Sequence, residues 1–239
     1  MDKTVINLSP LSLFIICLFL TSLIVSNIIG VKIVEINFII TIIFPAGLVI
    51  FPISYLIGDI LTEVYGYKLT SRVIWYGLLC NFIVVVAIWI GQVLPAAPFW
   101  VNQSSYEDIL GHTPRLFLAG VIAYLVGEFS NSYVMARMKL LTRGRWLWTR
   151  TIGSTIVGQG LDSLIFITIA FYGSNKIITM ILTQWIIKTA YEALFTPLTY
   201  VVVGFLKRYE QSDVYDYGTD FNPFLSIITF LKWLAQKFK

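Results

Sequence analysis

The sequence predicts an all-α polytopic membrane protein built as a bundle of six transmembrane helices. Three observations support this fold class: the apolar composition, the length of the apolar stretches and the distribution of the basic residues. Of the 239 residues, 57% are hydrophobic and 13% are charged, about half the charged share expected of a soluble domain. A soluble protein of this size could not bury so much apolar surface, whereas a lipid bilayer can.

Six stretches are long enough to cross the hydrocarbon core, which requires roughly 20 mostly apolar residues. Three of them contain no charged residue, namely 4–31, 36–58 and 73–106. The other three reach the length only with isolated charges inside them: 116–136 with Glu128, 151–175 with Asp162, and 177–206 with Lys188 and Glu192. The second half of the chain therefore carries the charges at membrane depth.

Taken in order, the first helix is expected over 11–31, because its apolar run is too long for a cleaved signal peptide. The second span contains Pro45 and Pro52, which remove backbone donors and predict a bent or broken helix. The third span is expected over 72–94. We expect residues 1–206 to form the transmembrane domain and 207–239 a tail that ends in an amphipathic helix on the membrane surface.

The basic residues predict the orientation, because they mark cytoplasmic connections. They are concentrated after spans 2, 4 and 6, at Lys68, Arg72, Arg137, Lys139, Arg143, Arg145, Arg150, Lys207, Arg208, Lys232, Lys237 and Lys239. The alternate connections carry only Lys32, Arg115 and Lys176. The pattern predicts a multi-pass protein with both termini in the cytoplasm, and it explains the net charge of +4 without a nucleic-acid partner.

The sequence argues against an enzyme, a metal site and a cofactor. His112 is the single histidine, and the two cysteines, Cys17 and Cys80, fall in different predicted spans as small apolar packers. The sequence has no cluster of histidines and cysteines for a structural zinc site, and a single loop histidine does not provide a Ser–His–Asp order. The phosphate-binding pattern G-x-x-x-x-G-K-[ST] does not occur.

Polar residues form one stripe on each of the last three spans, at the spacing of a single helix face. The stripes are Tyr124, Glu128 and Asn131; Thr155, Gln159 and Asp162; and Gln184, Lys188 and Glu192, with Tyr191 adjacent. A charge at mid-bilayer costs about 2.5–3.5 kcal/mol on insertion scales, so we expect these faces to meet inside the bundle. The structural alternative is that Lys188 joins one carboxylate and holds two helices together.

Asp59 and Glu63 form a second polar pair, one turn apart, at the end of the second span. One interpretation is a gating or proton-handling role. The alternative is a salt-bridge cluster with Lys68 and Arg72, which follow closely in the sequence.

The stretch 51–66, FPISYLIGDILTEVYG, resembles the signature of the queuosine-precursor transporter family, also called the vitamin uptake transporter family. Three further stretches, 26–32, 127–139 and 150–166, resemble its first, fourth and fifth helices, so the similarity covers nearly the whole chain in order. The fold is also similar to the six-helix substrate-binding component of energy-coupling-factor transporters.

This resemblance implies a bacterial inner-membrane importer of 7-cyano-7-deazaguanine, 7-aminomethyl-7-deazaguanine or queuine for queuosine salvage. Proton coupling, coupling to another ion, a partner ATPase and facilitated diffusion are the alternatives for the energy source, and the protein could form a homodimer. The alternatives are a substrate-binding membrane component, or an intramembrane acid–base enzyme for another small heterocycle that uses Glu128 and Asp162.

A guanine-like ring has two adjacent donors, which one carboxylate can accept together. For such a ligand we expect the substrate-binding residues to be Glu128 or Asp162 for these donors; Asn27, Asn131, Gln159 or Lys188 for the ring carbonyl; Tyr124, Tyr191, Phe166 or Trp185 for stacking; and Glu192 as a further carboxylate.

Overall fold

The computed structural model describes residues 9–30, 32–37, 41–111, 114–173, 177–225, 228 and 235. Within them lie one β-hairpin, one short 3-10 helix (Ala46–Val49) and seven α-helices. The elements are α1 (Pro10–Ile29), β1 (Ile33–Asn37), β2 (Thr41–Pro45), α2 (Phe51–Tyr65), α3 (Tyr67–Val93), α4 (Gln103–Leu110), α5 (Pro114–Leu141), α6 (Leu147–Ala170) and α7 (Ile177–Tyr209).

Four of these helices, α1, α3, α6 and α7, are long and apolar enough to cross a membrane. The chain is therefore a multi-pass membrane protein, as the composition predicts. Each predicted span except the second overlaps one long helix, including α5, which has 28 residues. The count of six spans stays a prediction, because α2 has only 15 residues and would reach about 22 Å.

The second predicted span differs from the structure. The expected helix over 36–58 is wrong in its first half, where β1 pairs antiparallel with β2 and a 3-10 turn follows. Isoleucine, valine and threonine dominate both strands, and these β-branched residues favour extended structure. Pro52 lies in the first turn of α2 and does not kink a longer helix, because a proline there removes no intrahelical hydrogen bond.

Helix α2 is the most enclosed element of the described chain. Every residue from Ser54 to Val64 is buried, and the helix packs against α1, α3, α5 and α7. Its apolar residues Leu61 and Val64 join a core that includes Phe19, Leu23 and Ile74. The polar residues of α2 consequently lie inside the protein, where they must find partners or a ligand.

Helices α5 and α6 approach each other closely at two glycines. A Cβ atom added at Gly127 would lie 2.9 Å from the Asp162 Cβ, and one at Gly158 would lie 2.7 Å from the Asn131 Cβ. Small residues allow such backbone contact between membrane helices. The contact brings the polar faces of both helices to the same depth.

The segment after α7 returns across the junction of α2 and α3. The Val214 amide donates to the Val64 carbonyl (3.1 Å), the Tyr67 amide donates to the Asp216 carboxylate (3.0 Å), and the Trp75 indole donates to the Pro223 carbonyl (2.8 Å). The first part of the predicted tail thus packs on the helical domain. The amphipathic helix expected after it falls largely outside the described residues, as does His112.

Candidate functional site

Seven buried polar side chains from four helices form what we call the central cluster. Its members are Asp59 of α2, Glu128 and Asn131 of α5, Gln159 and Asp162 of α6, and Lys188 and Glu192 of α7. Each is at most 7% exposed. The structure therefore brings together two residues from each polar stripe predicted for the last three spans and adds Asp59 from the second.

Two hydrogen bonds join members of the central cluster. The Asn131 amide donates to Asp59 Oδ1 at 2.7 Å, which connects α5 to α2. Lys188 Nζ lies 2.5 Å from Asp162 Oδ2, which connects α7 to α6. The pairing that the structural alternative expected for Lys188 thus exists, and its partner is Asp162.

The remaining polar atoms of the central cluster are the unusual feature. Within the described part of the chain, Glu128 Oε1 and Oε2, Asp59 Oδ2, Glu192 Oε1, Gln159 Oε1 and Asn131 Oδ1 have no hydrogen-bond partner. Folded proteins pair nearly all buried polar atoms, so each exception requires an explanation. The surplus is negative, because four carboxylates share one lysine.

Glu128 holds the centre of this arrangement. Its charged electrostatic neighbours are Asp162 and Lys188. It also interacts electrostatically with Asp59, Tyr55 and Tyr124. A Cβ added at Gly58 would lie 3.4 Å from Glu128 Oε2, so α2 runs directly beside the carboxylate. Glu128 therefore has a carboxylate with two unused oxygens next to an ion pair of opposite charges.

Aromatic rings of α2 lie beside the cluster, and they are not among the residues predicted for substrate binding. Lys188 Nζ lies 4.4 Å from the centroid of the Phe51 ring, which is a cation–π contact. Phe51 packs against Tyr55 with their centroids 4.9 Å apart. The signal was available, because Phe51, Tyr55 and Asp59 repeat at four-residue spacing along one helix face.

The aromatic residues predicted for stacking have other contacts. The Tyr124 hydroxyl donates to the Ile74 carbonyl (3.0 Å), although Tyr124 is an electrostatic neighbour of Glu128. Tyr191 stacks on Phe195 of its own helix (5.6 Å). The other two predicted residues also contact groups outside the central cluster: Phe166 pairs with Phe171, and the Trp185 indole donates to the Ile156 carbonyl.

Asn27 also differs from its predicted place. Its side chain is exposed and donates to Asn81 of α3 at 2.8 Å. The hydrogen bond ties α1 to α3, and it does not involve a member of the central cluster.

Glu63 belongs to a second charge group, which we call the tail network; it contains the buried Lys139 and Arg150 and the partly exposed Lys207 and Asp213. Arg150 holds both carboxylate oxygens of Glu63 (2.9 and 3.2 Å). Lys207 binds Glu63 Oε1 at 2.6 Å, with Lys139 3.8 Å from the same oxygen. A salt-bridge cluster is therefore present, but the expected partners Lys68 and Arg72 are wrong: the cations come from α5, α6 and α7.

Asp213 links the tail to this network. It accepts from Lys139 (2.7 Å) and lies 2.8 Å from Lys207, and Lys139 also donates to the Val214 carbonyl (2.7 Å). Partial burial raises the pKa of Asp213, but the two lysines outweigh it, so that the pKa is lowered from its ordinary value of 3.8. The network thus fixes the start of the tail against α2.

Two open surface hollows lie away from the central cluster. One, of about 570 Å³, runs along α7 from Tyr200 to Tyr209. The other, of about 230 Å³, lies between the end of α3 and α4, around Trp100 and Tyr106. Neither is lined by a member of the central cluster, which is enclosed in this conformation.

Comparisons with known proteins identify the family of the chain. The sequence model of a family described as "Putative vitamin uptake transporter" matches residues 45–202, a range that contains all seven members. A Bacillus subtilis (strain 168) protein named probable queuosine precursor transporter is 27% identical over 172 residues, covering 70% of this chain and 74% of that protein. The queuosine precursor transporter of Escherichia coli (strain K12) is 25% identical over 128 residues, 52% and 53% of the two chains. No solved structure matches significantly.

Proposed function

The chain belongs to the vitamin uptake transporter family, and from that premise we propose that it imports queuosine precursors of the 7-deazaguanine class. Membership makes it a membrane transporter and not an enzyme. Its substrates in this proposal are 7-cyano-7-deazaguanine, its aminomethyl derivative or queuine.

The observation that carries the proposal is the unpaired carboxylate of Glu128. Its side chain is fully buried, and neither oxygen has a partner in the described structure. A 7-deazaguanine presents a ring N–H and an exocyclic amine side by side on one edge. Such an edge can donate to both oxygens of one carboxylate, and hydrogen bonds to charged acceptors are roughly twice as strong as neutral ones.

The neighbours of Glu128 suit the rest of the ring. Lys188 would donate to the ring carbonyl, which lies beside the ring N–H on the same edge. The Phe51 ring under the Lys188 ammonium, with Tyr55 next to it, would offer a flat apolar surface to the base. Asp162 keeps Lys188 in position through their ion pair, and it could neutralise the cation of an aminomethyl substituent.

The membrane arrangement is part of the same proposal. Six helices, α1, α2, α3, α5, α6 and α7, would form the bundle in a bacterial inner membrane with both termini in the cytoplasm. This orientation is supported by the basic residues of the tail network and of the turn between α5 and α6, including Arg143 and Arg145. The tail network would then lie at the cytoplasmic end.

The test is uptake of labelled 7-cyano-7-deazaguanine by cells that cannot synthesise it and that lack other importers. Cells with the wild-type chain should accumulate label in queuosine, and Glu128→Gln should abolish this while the protein remains in the membrane. Glu107→Gln, the same change at an exposed position of α4, should behave as wild type. Absence of uptake by a correctly inserted wild-type chain would refute the proposal.

A further inference from the structure

Asp59 and Glu192 are the carboxylates that the proposed substrate contacts leave unused. They come from α2 and α7, which pack against each other, and the two carboxylates are electrostatic neighbours. Their side chains are 0% and 3% exposed. They therefore form a buried acidic pair between two helices.

Only some of the carboxylate oxygens of this pair have hydrogen-bond partners. Asp59 Oδ1 accepts the Asn131 amide (2.7 Å). Asp59 Oδ2, Glu192 Oε1 and the amide oxygen of Asn131, which is itself fully buried, have no partner among the described residues. Asn131 is thus held at the pair by its nitrogen while its own oxygen stays unsatisfied.

The surrounding charges make it more costly to ionise both carboxylates. The charged neighbours of Asp59 are three carboxylates: Glu192 of α7, Glu128 of α5 and Glu63 of α2. The basic side chains nearby are already engaged, since Lys188 pairs with Asp162 and Arg150 with Glu63. Two buried carboxylates without a cation favour sharing one proton over both being ionised, as in other sites where two acids lie close together.

A proton fits this site better than a metal ion. Hard cations take six or more oxygen ligands, whereas the pair and Asn131 offer three unpartnered oxygens in the described structure. In the part of the chain that is described, no group of three acidic, histidine or cysteine residues is arranged to hold a metal. A proton needs only one oxygen to bind and a second to accept its hydrogen bond.

We propose that Asp59 and Glu192 are the proton-binding pair that couples substrate uptake to a proton gradient. The inference rests on the proposed import function and adds its energy source. Glu128 links the two sites, because it is an electrostatic neighbour of Asp59 and also of Asp162 and Lys188. A proton on the pair removes one negative charge beside Glu128, which favours the ionised form that accepts the substrate donors. Binding of the proton and of the substrate should then be mutually favourable, since such coupling is reciprocal.

The experiment uses the purified full chain in proteoliposomes with labelled 7-cyano-7-deazaguanine. An outside that is one pH unit more acidic should drive up to about tenfold accumulation if one proton enters per substrate, and a protonophore should abolish it. Asp59→Asn and Glu192→Gln should still bind and exchange the substrate but should only equilibrate it. Asp108→Asn and Glu107→Gln, at exposed positions of α4, should accumulate it like wild type.

The outcomes separate the two proposals. A wild-type chain that neither binds nor moves the substrate refutes the import function. Uptake that ignores the pH gradient, or follows a sodium gradient, leaves the import function standing and overturns the proton pair. Undiminished accumulation by either variant also overturns it. If Asp59→Asn does not fold, the wild-type gradient dependence and Glu192→Gln decide the question.

Discussion

Asp59 and Glu63 lie one turn apart on α2, are equally buried, and have opposite surroundings. Both oxygens of Glu63 are bonded by Arg150, and Lys207 adds a third contact. Asp59 has one amide partner, and its charged neighbours are three other carboxylates. The tail network is thus saturated with cations, whereas the central cluster is short of them.

The difference indicates which region maintains the fold and which binds something. A buried charge with complete partners is stable but becomes costly when one partner is removed. Buried polar atoms without partners lower stability, and proteins retain them at functional sites. Substitutions in the tail network should therefore reduce stability, while substitutions of unpaired carboxylates should reduce function at little or no cost in stability.

The largest effect is expected for Glu63→Gln. It leaves Arg150, Lys139 and Lys207 without their shared anion, and removing one member of a buried ion group costs about 3–5 kcal/mol. The variant should show a large fall in melting temperature in detergent, or should not accumulate in the membrane. A Glu63→Gln protein as stable as wild type would contradict the assignment of the tail network as structural.

A smaller loss is expected for Lys188→Met, on the order of 3 kcal/mol, because Asp162 is left buried without its cation. The double variant Lys188→Met/Asp162→Asn should regain most of this stability but not substrate binding. A double-mutant cycle on the free energy of unfolding measures the coupling of the pair. Zero coupling would mean that the 2.5 Å contact contributes nothing to the fold.

Glu128→Gln should stabilise the protein, in contrast to the two preceding substitutions. The change removes a buried charge whose oxygens have no partner, so we expect a gain in stability on the order of 1 kcal/mol. Thermal unfolding of the purified protein measures it, with Glu107→Gln as the exposed control. A loss as large as that of Glu63→Gln would place Glu128 among the structural charges.

The smallest effect is expected for Asp213, whose side chain is 43% exposed. Its lowered pKa means that its contribution to stability is present above pH 3.8, the ordinary value, and is lost as the pH falls through the lower folded value. Asp213→Asn should cost less than about 1 kcal/mol at pH 7. Its melting temperature should converge with wild type below pH 3.8, and a constant difference would exclude titration of Asp213 as its source.

Helical periodicity was sufficient to predict the faces that form the central cluster. The helical spacing within each span places these residues on the inner side of their helix, where they are buried. They are Glu128, Asn131, Gln159, Asp162, Lys188 and Glu192. Periodicity does not indicate which helix lies opposite a given face, so it cannot identify the distant cations that bind Glu63. The prediction that its sequence neighbours Lys68 and Arg72 pair with it is therefore wrong. Phe51 and Tyr55 were missed because the second span was interpreted as beginning at residue 36, whereas the strands end before α2 begins.

Calorimetric binding of 7-cyano-7-deazaguanine to the purified wild type, Glu128→Gln and Glu107→Gln tests whether Glu128 binds the substrate. If Glu128 accepts both donors of the substrate, its replacement should weaken the Kd by about 30- to 1000-fold, which corresponds to about 2–4 kcal/mol. Glu107→Gln should bind within about twofold of wild type, as surface substitutions change energies little. Wild-type affinity in a folded Glu128→Gln protein would show that Glu128 does not accept the substrate donors.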